Sequence, residues 1–529
     1  MPIKKIHFLI PPTPPEADGK SPDRIFGCNY AFFFQHNIFI LYPATLLKKA
    51  GYDVRVIDCA IENETIASAL KDKADAYVFY SVFLSRGIDL QTASIIESSL
   101  SRDTPIIFMG SDPTYCPEKY LLRPKNGGST ISPNRFVIRG EPEYSLLDLI
   151  NNLECHCEGQ SPEAISKVEG VSWVSSFGLR ISGFEKVIHN PYRKYIEDLD
   201  SLPFPDRTLL KNPQKYFNAK FKKLPSTTIL TSRGCAFKCY YCVPNSLSFA
   251  RELEWKRAHK NFHSELRTPN SELQKPPVAK RSVGNIIEEF REVARPQNGH
   301  SGYRSVFILD DQFVWGRART LEILDGIKDL NLEISLLARP DMLTDKELVN
   351  KMAEAGVRHV DLGVESFNED ILRDIRKDLD VTTIEKSITL LKEANIKPEI
   401  NIMLGASPLE TEETIKDTLE KVKRYDVDIV HAKICAPFPG TEFHDIAKKS
   451  GWMITKEYVP IDTACDSLIS YPHLSREKLI GLLKTFYHEH YFNPRYLIKH
   501  LTALKSFKEL KNKARTAVNI WKNIIRSSS

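Results

Sequence analysis

The stretch Thr227-Thr-Ile-Leu-Thr-Ser-Arg233-Gly234-Cys235-Ala-Phe-Lys-Cys239-Tyr-Tyr241-Cys242 contains the strongest signal in this sequence. Residues 228–231 are predicted as a strand, and three cysteines with the spacing Cys-x3-Cys-x2-Cys follow it directly. A tight loop can turn three such sulfurs toward one point. In a reducing compartment, clustered cysteines are more often ligands or catalysts than cross-links. We therefore predict Cys235, Cys239 and Cys242 as metal ligands.

The number of cysteines favours an iron–sulfur cluster. A cubane [4Fe-4S] cluster normally takes four cysteines, so a set of three leaves one iron open to a substrate or cofactor. Zinc would need a fourth ligand, and His259 and His263 lie downstream at a suitable spacing. Buried thiols without a metal are the third alternative.

Downstream of the cysteines, short apolar runs alternate with helical patterns such as residues 345–355 and 382–394. Including the strand before the cysteines, six strands are predicted, at residues 228–231, 305–309, 333–337, 359–362, 399–403 and 429–434. Six βα units predict an open, partial (β/α)6 TIM-type barrel. In such a barrel the reacting groups lie at the C-terminal ends of the strands.

Upstream of the cysteines, the chain alternates in the same way. Five apolar strands are predicted at residues 6–10, 53–58, 76–82, 105–109 and 136–138, with a first helix at 43–50. This pattern predicts a parallel sheet covered on both faces, of the doubly wound, flavodoxin-like (Rossmann-type) kind. Such a domain binds its ligand at the carboxyl ends of the strands. Those ends carry Pro11-Pro12, Asp58, Ser81, Gly110 and Glu141.

The α/β chain is thus predicted to have four segments. Residues 1–155 form the doubly wound domain, 156–225 a connector, 226–445 the barrel, and 446–529 a helical, basic C-terminal region. Residues 494–529 hold nine Lys or Arg and one Glu, with apolar residues at helical spacing. This basic amphipathic helix either contacts an anionic membrane or packs on the barrel.

Composition excludes several classes of protein. The chain has 529 residues, 42% apolar and 27% charged, which is typical of globular proteins and not of disordered ones. A net charge of +5 gives no reason to expect a nucleic-acid partner. No apolar run reaches the ~18 residues of a spanning helix, and the N-terminus lacks a signal-peptide pattern. We expect a cytoplasmic protein, with the tail at the inner face of the membrane as a further hypothesis.

The motif Cys-x3-Cys-x-aromatic-Cys after a strand resembles the signature of the radical S-adenosylmethionine (SAM) superfamily. The resemblance implies that Cys235, Cys239 and Cys242 hold a [4Fe-4S] cluster whose open iron is chelated by SAM. One electron from the cluster then cleaves SAM to a 5′-deoxyadenosyl radical, and the protein supplies placement and water exclusion.

Other segments resemble one branch of that superfamily, the cobalamin-binding group that includes the anaerobic magnesium-protoporphyrin ester cyclase, hopanoid-associated enzymes and class B methyltransferases. These segments lie at residues 139–143, 197–205, 307–313, 338–341, 362–366, 404–405 and 436–441. The resemblance implies contacts with SAM from Tyr241, Asp310, Asp311, Gln312, Arg339, Glu365, Ser366 and Asn401. Two structural alternatives remain: Asp310 and Asp311 could cap the next helix, and Arg339 could form an ion pair.

For the N-terminal domain, the resemblance implies cobalamin, with contacts from Pro12, Asp58, Ser81, Gly110 and Glu141. The methionine-synthase type carries Asp-x-His-x-x-Gly, whose His ligates cobalt. Here Asp58-Cys-Ala-Ile-Glu-Asn stands in that place, so this loop supplies no His ligand. The alternative is a degenerate domain that binds nothing.

Three functions remain open. The first is methylation of an unactivated carbon or phosphorus of a small-molecule or lipid-like substrate by SAM and cobalamin. The second is radical oxidation, cyclisation or rearrangement of a tetrapyrrole, lipid or similar scaffold, and the third is a non-catalytic iron–sulfur protein. The enzyme readings require an electron donor such as flavodoxin or ferredoxin.

Overall fold

A computed structural model describes residues 3–13, 20–31, 34–101, 103–125, 128–131, 133–154, 162–174, 186–259, 275–296, 302–425, 427–494 and 496–498. The chain divides into two compact units. The first contains residues 1–236, 243–311 and 329–333, and the second contains residues 237–242, 312–328 and 334–529. Most of the basic tail and residues 260–274 after the cysteine loop lie outside the described residues.

A seven-stranded sheet forms the core of the first unit. Along the chain its strands are β1 (Lys5–Ile10), β2 (Asp53–Asp58), β3 (Ala76–Tyr80), β4 (Ile106–Met109), β5 (Arg135–Ile138), β6 (Val171–Val174) and β7 (Val187–His189). The spatial order is β2-β1-β3-β4-β5-β6-β7. The first five strands are parallel and have the flavodoxin-like order 2-1-3-4-5, which confirms the predicted fold. β6 and β7 extend this sheet as antiparallel strands.

The first unit also contains helices. In the first unit they are α1 (Ile38–Lys49), α2 (Cys59–Glu62), α3 (Ile66–Ala69), α4 (Arg86–Ser99), α5 (Ser111–Tyr115), α6 (Glu118–Leu121), α7 (Glu143–Glu154), α8 (Pro162–Ser166), α9 (Ser246–Ala258) and α10 (Val283–Ala294). All residues of β3, β4, β5 and β6 are buried, and Phe79 on β3 stacks on Phe108 of β4 with ring centroids 5.3 Å apart.

The first helix starts earlier than predicted. A start at Pro43 is wrong, because α1 begins at Ile38 and contains Pro43 in its interior. The Asn37 side chain caps the helix by accepting a hydrogen bond from Phe39 N at 3.1 Å. The residues from Ile38 to Tyr42 are buried. An N-cap and a buried apolar face outweigh the one backbone hydrogen bond that proline removes.

The first unit also contains β8 (Ser226–Ile229) and β9 (Ser305–Ile308), which pair in parallel. Between them lies the cysteine loop, preceded by a short antiparallel ladder of Ser232–Arg233 with Ala279–Lys280. Further two-stranded ladders join Ser21–Pro22 with Tyr30–Ala31 and Leu122–Lys125 with Gly128–Ile131. Single 3-10 turns occur at Leu199–Ser201, Arg207–Leu209 and Pro213–Lys215.

Four parallel strands form the sheet of the second unit, in the order β10 (Glu333–Ala338), β11 (Val357–Glu365), β12 (Lys397–Leu404) and β13 (Ile429–Ile434). The helices of this unit are α11 (Arg317–Ile327), α12 (Lys346–Glu354), α13 (Glu369–Asp374), α14 (Val381–Glu393), α15 (Glu412–Arg424), α16 (Glu442–Lys449) and α17 (Arg476–Tyr491), with 3-10 turns at Lys328–Leu330 and Pro340–Leu343. All six strands predicted for the barrel are present, and each is followed by a helix. This confirms the six βα units.

Side chains alternate across β11 and β12. Val360, Leu362, Ile400 and Ile402 are buried on one face. The other face carries polar or small residues, including Asp361, Gly363, Glu399 and Asn401. In a (β/α) barrel the helices pack on the outer, apolar face of the sheet, so the polar face points toward the barrel interior. Among the residues that the structure describes, no helix is both long and apolar enough to span a bilayer.

Candidate functional site

The three cysteines lie in a loop without regular secondary structure. Each is half-buried and none forms a disulfide. Cys242 N donates a hydrogen bond to Cys239 O at 3.3 Å. The zinc alternative required His259 or His263. The His259 ring stacks on Trp255 with centroids 3.9 Å apart, and its Nδ1 lies 2.8 Å from Trp255 O. His263 lies outside the described residues.

Arg233 anchors the start of the loop. Its fully buried guanidinium contacts Glu141 at 2.9 Å and Glu143 at 2.7 Å, and it lies over the ring of Tyr42. Burial alone would lower the pKa of Arg233, but Glu143 and Glu141 raise it above its ordinary value. The next residue, Gly234, has φ +95°, and a Cβ there would lie 2.6 Å from Arg251 Nη1. The positive φ favours glycine at this position.

A second buried ion pair holds the helix after the loop. Arg139 donates to the Glu254 carboxylate of α9 at 3.0 Å, and both side chains are almost completely buried. Arg251 of the same helix donates to Arg233 O at 3.0 Å. The acidic and basic residues of the segment 139–143 therefore fix the chain on both sides of the cysteine loop.

Two adjacent aspartates follow β9 and differ in their partners. Asp310 accepts hydrogen bonds from Thr231 N and from Ser232 Oγ, each at 2.6 Å, so its carboxylate joins the ends of β8 and β9. Asp311 accepts one from Asn245 N at 2.8 Å, whereas its Oδ2 is buried without a partner. Burial raises the pKa of Asp311 to about 6. Of the two, only Asp311 has an acceptor oxygen left for a ligand.

In the second unit, Glu365 occupies a strained position at the end of β11. Its φ is +67°, and the register with β12 shifts between Gly363 and Glu365. Such bulges redirect side chains and are common at functional sites. The Glu365 carboxylate pairs with the buried Lys377 ammonium at 3.0 Å. Burial alone would lower the pKa of Lys377, but Glu365 and then Cys239 raise it.

Arg339 connects this region to the cysteine loop. Its guanidinium carbon lies 3.8 Å from the ring centroid of Phe237, which stands between Cys235 and Cys239. It pairs with Asp341 at 3.0 Å and donates to Lys377 O at 2.7 Å. Gln312 Oε1 accepts from Arg339 N at 3.0 Å. Arg339 Nη1 and Gln312 Nε2 remain buried without partners.

The other predicted SAM contacts have mixed environments. Tyr241 is buried; burial raises the pKa of its hydroxyl well above 10, and Glu365 and Cys239 raise it further. Ser366 Oγ accepts from Asn368 N at 3.1 Å and so begins the turn into α13. Asn401 Nδ2 donates to Leu362 O at 3.2 Å on the neighbouring strand. The structure thus brings Tyr241, Glu365, Arg339 and Gln312 together around the loop, whereas Ser366 and Asn401 bond locally.

At the strand ends of the N-terminal sheet, most predicted side chains bond within their own unit. Asp58 caps α2 and accepts from Tyr216 Oη at 3.0 Å, and Ser81 Oγ donates to Asp89 at 2.7 Å. A Cβ on Gly110 would lie 2.4 Å from Ser81 O. Glu141 holds Arg233, as described above, and Pro12 is half-buried after β1. A ligand at this edge would therefore be contacted mainly by backbone atoms and less by these polar side chains.

The sequence profile of the Radical SAM superfamily matches residues 229–422. The chain carries a radical SAM domain. An uncharacterized methyltransferase of Pyrococcus horikoshii is 26% identical over 505 residues, which cover 95% of each chain. The anaerobic magnesium-protoporphyrin IX monomethyl ester cyclase of Rubrivivax gelatinosus is 24% identical over 60% of this chain and 49% of its own length.

Among solved structures, the cobalamin-dependent S-adenosylmethionine radical enzyme OxsB, with aqua-cobalamin and S-adenosylmethionine bound, has the same fold. Its TM-score is 0.67 at 16% identity, covering 99% of this chain and 72% of that one. This similarity confirms the predicted fold.

Some residues of the radical SAM site were missed by sequence reasoning. Lys377 follows α13 in a turn and has no motif that marks it. Arg233 directly precedes the cysteines, and residues 139–143 form a motif that contains two glutamates. Their opposite charges are a signal from which the ion pair between Arg233 and these glutamates could have been predicted. The pairing of Arg139 with Glu254 joins residues 115 positions apart, so no local pattern reveals it.

Proposed function

We propose that this protein is a radical SAM enzyme that reductively cleaves S-adenosylmethionine at a [4Fe-4S] cluster and, with cobalamin, methylates an unactivated centre of a small-molecule or lipid-like substrate. Cys235, Cys239 and Cys242 would hold the cluster, leaving one iron open. When bound, the cluster and SAM together supply a carbon radical that can abstract hydrogen from the substrate.

The observation that carries the proposal is the pair of buried donors beside the cysteine loop. A buried N–H without a partner costs free energy of about 1–3 kcal/mol. Arg339 Nη1 and Gln312 Nε2 are two such groups, and Arg339 rests on Phe237 inside the loop. A ligand with carboxylate or hydroxyl oxygens would satisfy both groups, and SAM contains these. The residues present therefore fit SAM.

Other side chains have supporting roles in this proposal. Asp311 Oδ2, buried without a partner, would accept a hydrogen bond from an amino group. Glu365 would lie near the ribose or carboxylate of SAM, and its ion pair with Lys377 would fix its position. Tyr240 and Tyr241 exclude water, because Tyr240 packs edge-on against Phe443 at 5.5 Å and donates to Ala406 O. Asp310, Ser366 and Asn401 shape the loops that carry these groups.

Cobalamin is assigned to the N-terminal domain. The flavodoxin-like strand order and the full-length similarity to OxsB support this assignment. Pro12, Asp58, Ser81, Gly110 and Glu141 line or support the strand ends where a nucleotide tail would enter. Since the three polar side chains already have partners, the contacts expected of this edge are mainly from the backbone. The domain division at residues 155, 225 and 445 remains part of the proposal.

Two further partners complete the proposal. An external one-electron donor such as flavodoxin or ferredoxin reduces the cluster. The basic tail contacts an anionic membrane when the substrate is lipid-like.

A second function has a specific comparison in its favour. Because the cyclase of Rubrivivax gelatinosus shares 24% identity over 60% of the chain, radical oxidation, cyclisation or rearrangement without methyl transfer is the alternative. The two are separated by anaerobic turnover with SAM labelled isotopically in its methyl group. Methyltransferase activity predicts labelled product together with S-adenosylhomocysteine. 5′-Deoxyadenosine with an unlabelled product would establish the alternative instead.

A further inference from the structure

Three neighbouring strands of the second unit present a cluster of imidazole and carboxylate groups. Asp361 on β11, Glu399 on β12 and His431 on β13 each offer one ligand atom, and these atoms all lie within 4.8 Å of one another. His359, two residues before Asp361, places Nδ1 3.0 Å from Glu399 Oε1. His431 Nε2 lies 3.7 Å from Glu399 Oε2. None of these residues belongs to the cysteine loop or its surroundings described above.

The strand register produces this cluster. Asp361 stands opposite Glu399, and Asn401, two residues after Glu399, stands opposite His431. Side chains two positions apart share a face of a strand, and neighbouring strands lie about 4.8 Å apart. The groups therefore project from one face of the sheet, and parallel pairing sets their separation.

Charge indicates what the cluster binds. The Glu399 side chain is only 3% exposed, and a second carboxylate, Asp361, lies within the distance given above. Two ionised carboxylates this close together repel each other, and a bound cation lowers that repulsion. Lys397, at the start of β12, pairs with Asp428 at 2.9 Å.

We propose that Asp361, Glu399 and His431 bind a divalent transition-metal ion of the Zn²⁺ type, with His359 orienting Glu399. Imidazole nitrogen with carboxylate oxygen is the donor set that zinc and related ions take in proteins. The His431 side chain is 47% exposed, so the ion can enter from solvent. Three protein ligands leave a tetrahedral position for water or for an oxygen of a bound molecule.

The test uses full-length protein with its iron–sulfur cluster already assembled, so that the cluster cysteines are occupied. After chelator treatment and zinc addition, we expect about one zinc per chain in excess of the His431→Ala variant. We expect His359→Ala to weaken zinc binding by about 10- to 100-fold, the usual effect of a group that orients a ligand. X-ray absorption at the zinc edge is expected to show nitrogen and oxygen neighbours at about 2.0–2.1 Å without sulfur.

His189 and Glu118, which form a similar half-exposed pair at 3.1 Å elsewhere, give the matched control His189→Ala with unchanged zinc content. Because Glu399 is buried, the Glu399→Gln variant is compared only if its circular dichroism spectrum matches that of the parent protein. If the spectra differ, the zinc content of the His431→Ala variant, at an exposed residue, decides the test. Equal zinc content in the parent and His431→Ala, or sulfur among the zinc neighbours, would overturn the proposal.

Discussion

At the scale of single residues, hydrogen-bond partners separate groups that look equivalent in the sequence. Asp310 and Asp311 are adjacent, yet Asp310 is bonded to the end of β8 and the start of the loop, whereas Asp311 keeps one buried oxygen without a partner. Arg339 combines both roles considered for it: it pairs with Asp341 and still presents Nη1 without a partner. A sequence motif therefore identifies the position of a polar residue, whereas the packing around it determines whether that residue bonds within the protein or remains available to a ligand.

The cysteine ligands can be tested one at a time. Anaerobically reconstituted protein is expected to contain about four irons per chain. Cys235→Ala, Cys239→Ala and Cys242→Ala should each lose most of this iron and the broad visible absorption, because a cluster with two protein ligands is poorly held. Cys465→Ala, at a half-buried cysteine outside the loop, is the control. If the triple variant still produced 5′-deoxyadenosine from SAM, the ligand assignment would be wrong.

Glu410 gives a prediction about pH. Its buried carboxylate accepts hydrogen bonds from Gly405 N and Ala406 N at 2.9 Å, yet burial raises its pKa from 4.5 to about 7. An acid whose pKa is raised by folding binds more protons in the folded state, so stability falls as pH rises from 4.5 to 7. The expected loss is at most about 3 kcal/mol.

Urea unfolding of the parent and of Glu410→Gln, at several pH values from 5 to 8, measures this effect. The variant should lack the decline in unfolding free energy that the carboxyl causes. Glu412→Gln, at a half-buried acid two residues on, is the control and should keep the decline. Parallel curves for the parent and Glu410→Gln would contradict the prediction.

At the scale of secondary-structure elements, a few buried ion pairs fix the loops that follow the strands. Arg233 and the carboxylates of Glu141 and Glu143 tie the residue before the cysteines to the loop after β5. Removing one partner of a buried ion pair costs about 3–5 kcal/mol, because the other charge is left without compensation. The acidic segment after β5 thus positions the cysteine loop, whatever else it contacts.

The glycine after β4 is required by the packing of two strand ends. Gly110 has φ +114°, and a Cβ there would lie 2.4 Å from Ser81 O. We expect Gly110→Ala to lower the free energy of unfolding by more than about 1 kcal/mol. Gly87, inside α4 with nothing within 4 Å of its Cβ position, is the matched control. Gly87→Ala should be neutral or stabilising by up to about 1 kcal/mol, and thermal melting of both variants checks the contrast.

At the scale of the whole molecule, cobalamin uptake tests the N-terminal domain. We expect the full-length protein to bind hydroxocobalamin without a histidine ligand to cobalt. The loop after β2 contains no histidine, and both ring nitrogens of the buried His36 are engaged, by Thr227 Oγ1 at 2.9 Å and Pro213 O at 3.0 Å. The visible and paramagnetic resonance spectra report the ligand. A histidine-ligated spectrum, or absence of uptake, would be inconsistent with this assignment.

The basic tail gives a second prediction at this scale. Its charge of nine Lys or Arg against one Glu should hold it on an anionic surface, with each cation adding about 1 kcal/mol. Full-length protein is expected to co-sediment with anionic vesicles at low salt and much less at high salt. A chain lacking residues 494–529 should remain in the supernatant. Equal sedimentation of the two chains would leave the membrane hypothesis without support.

The sequence by itself determined the alternation of strands and helices, the doubly wound fold class of the N-terminal domain and the six βα units. Apolar periodicity and turn residues are local signals, and they place ten of the eleven predicted strands within two residues at each end. For β11, at Val357–Glu365, the predicted strand at 359–362 was too short. A bulge at its end and polar side chains along one face interrupt the apolar pattern there.

The cysteine ligands were also predictable, because their spacing within one loop is itself the signal. Only the tertiary structure decided which polar groups are bonded to other groups of the protein and which remain available to a ligand. Ser81 bonds to Asp89, Glu141 bonds to Arg233, and Glu365 bonds to Lys377, through contacts that depend on how separate elements pack. Long-range pairing has no local pattern, since a buried charge needs a partner but the sequence does not say which one.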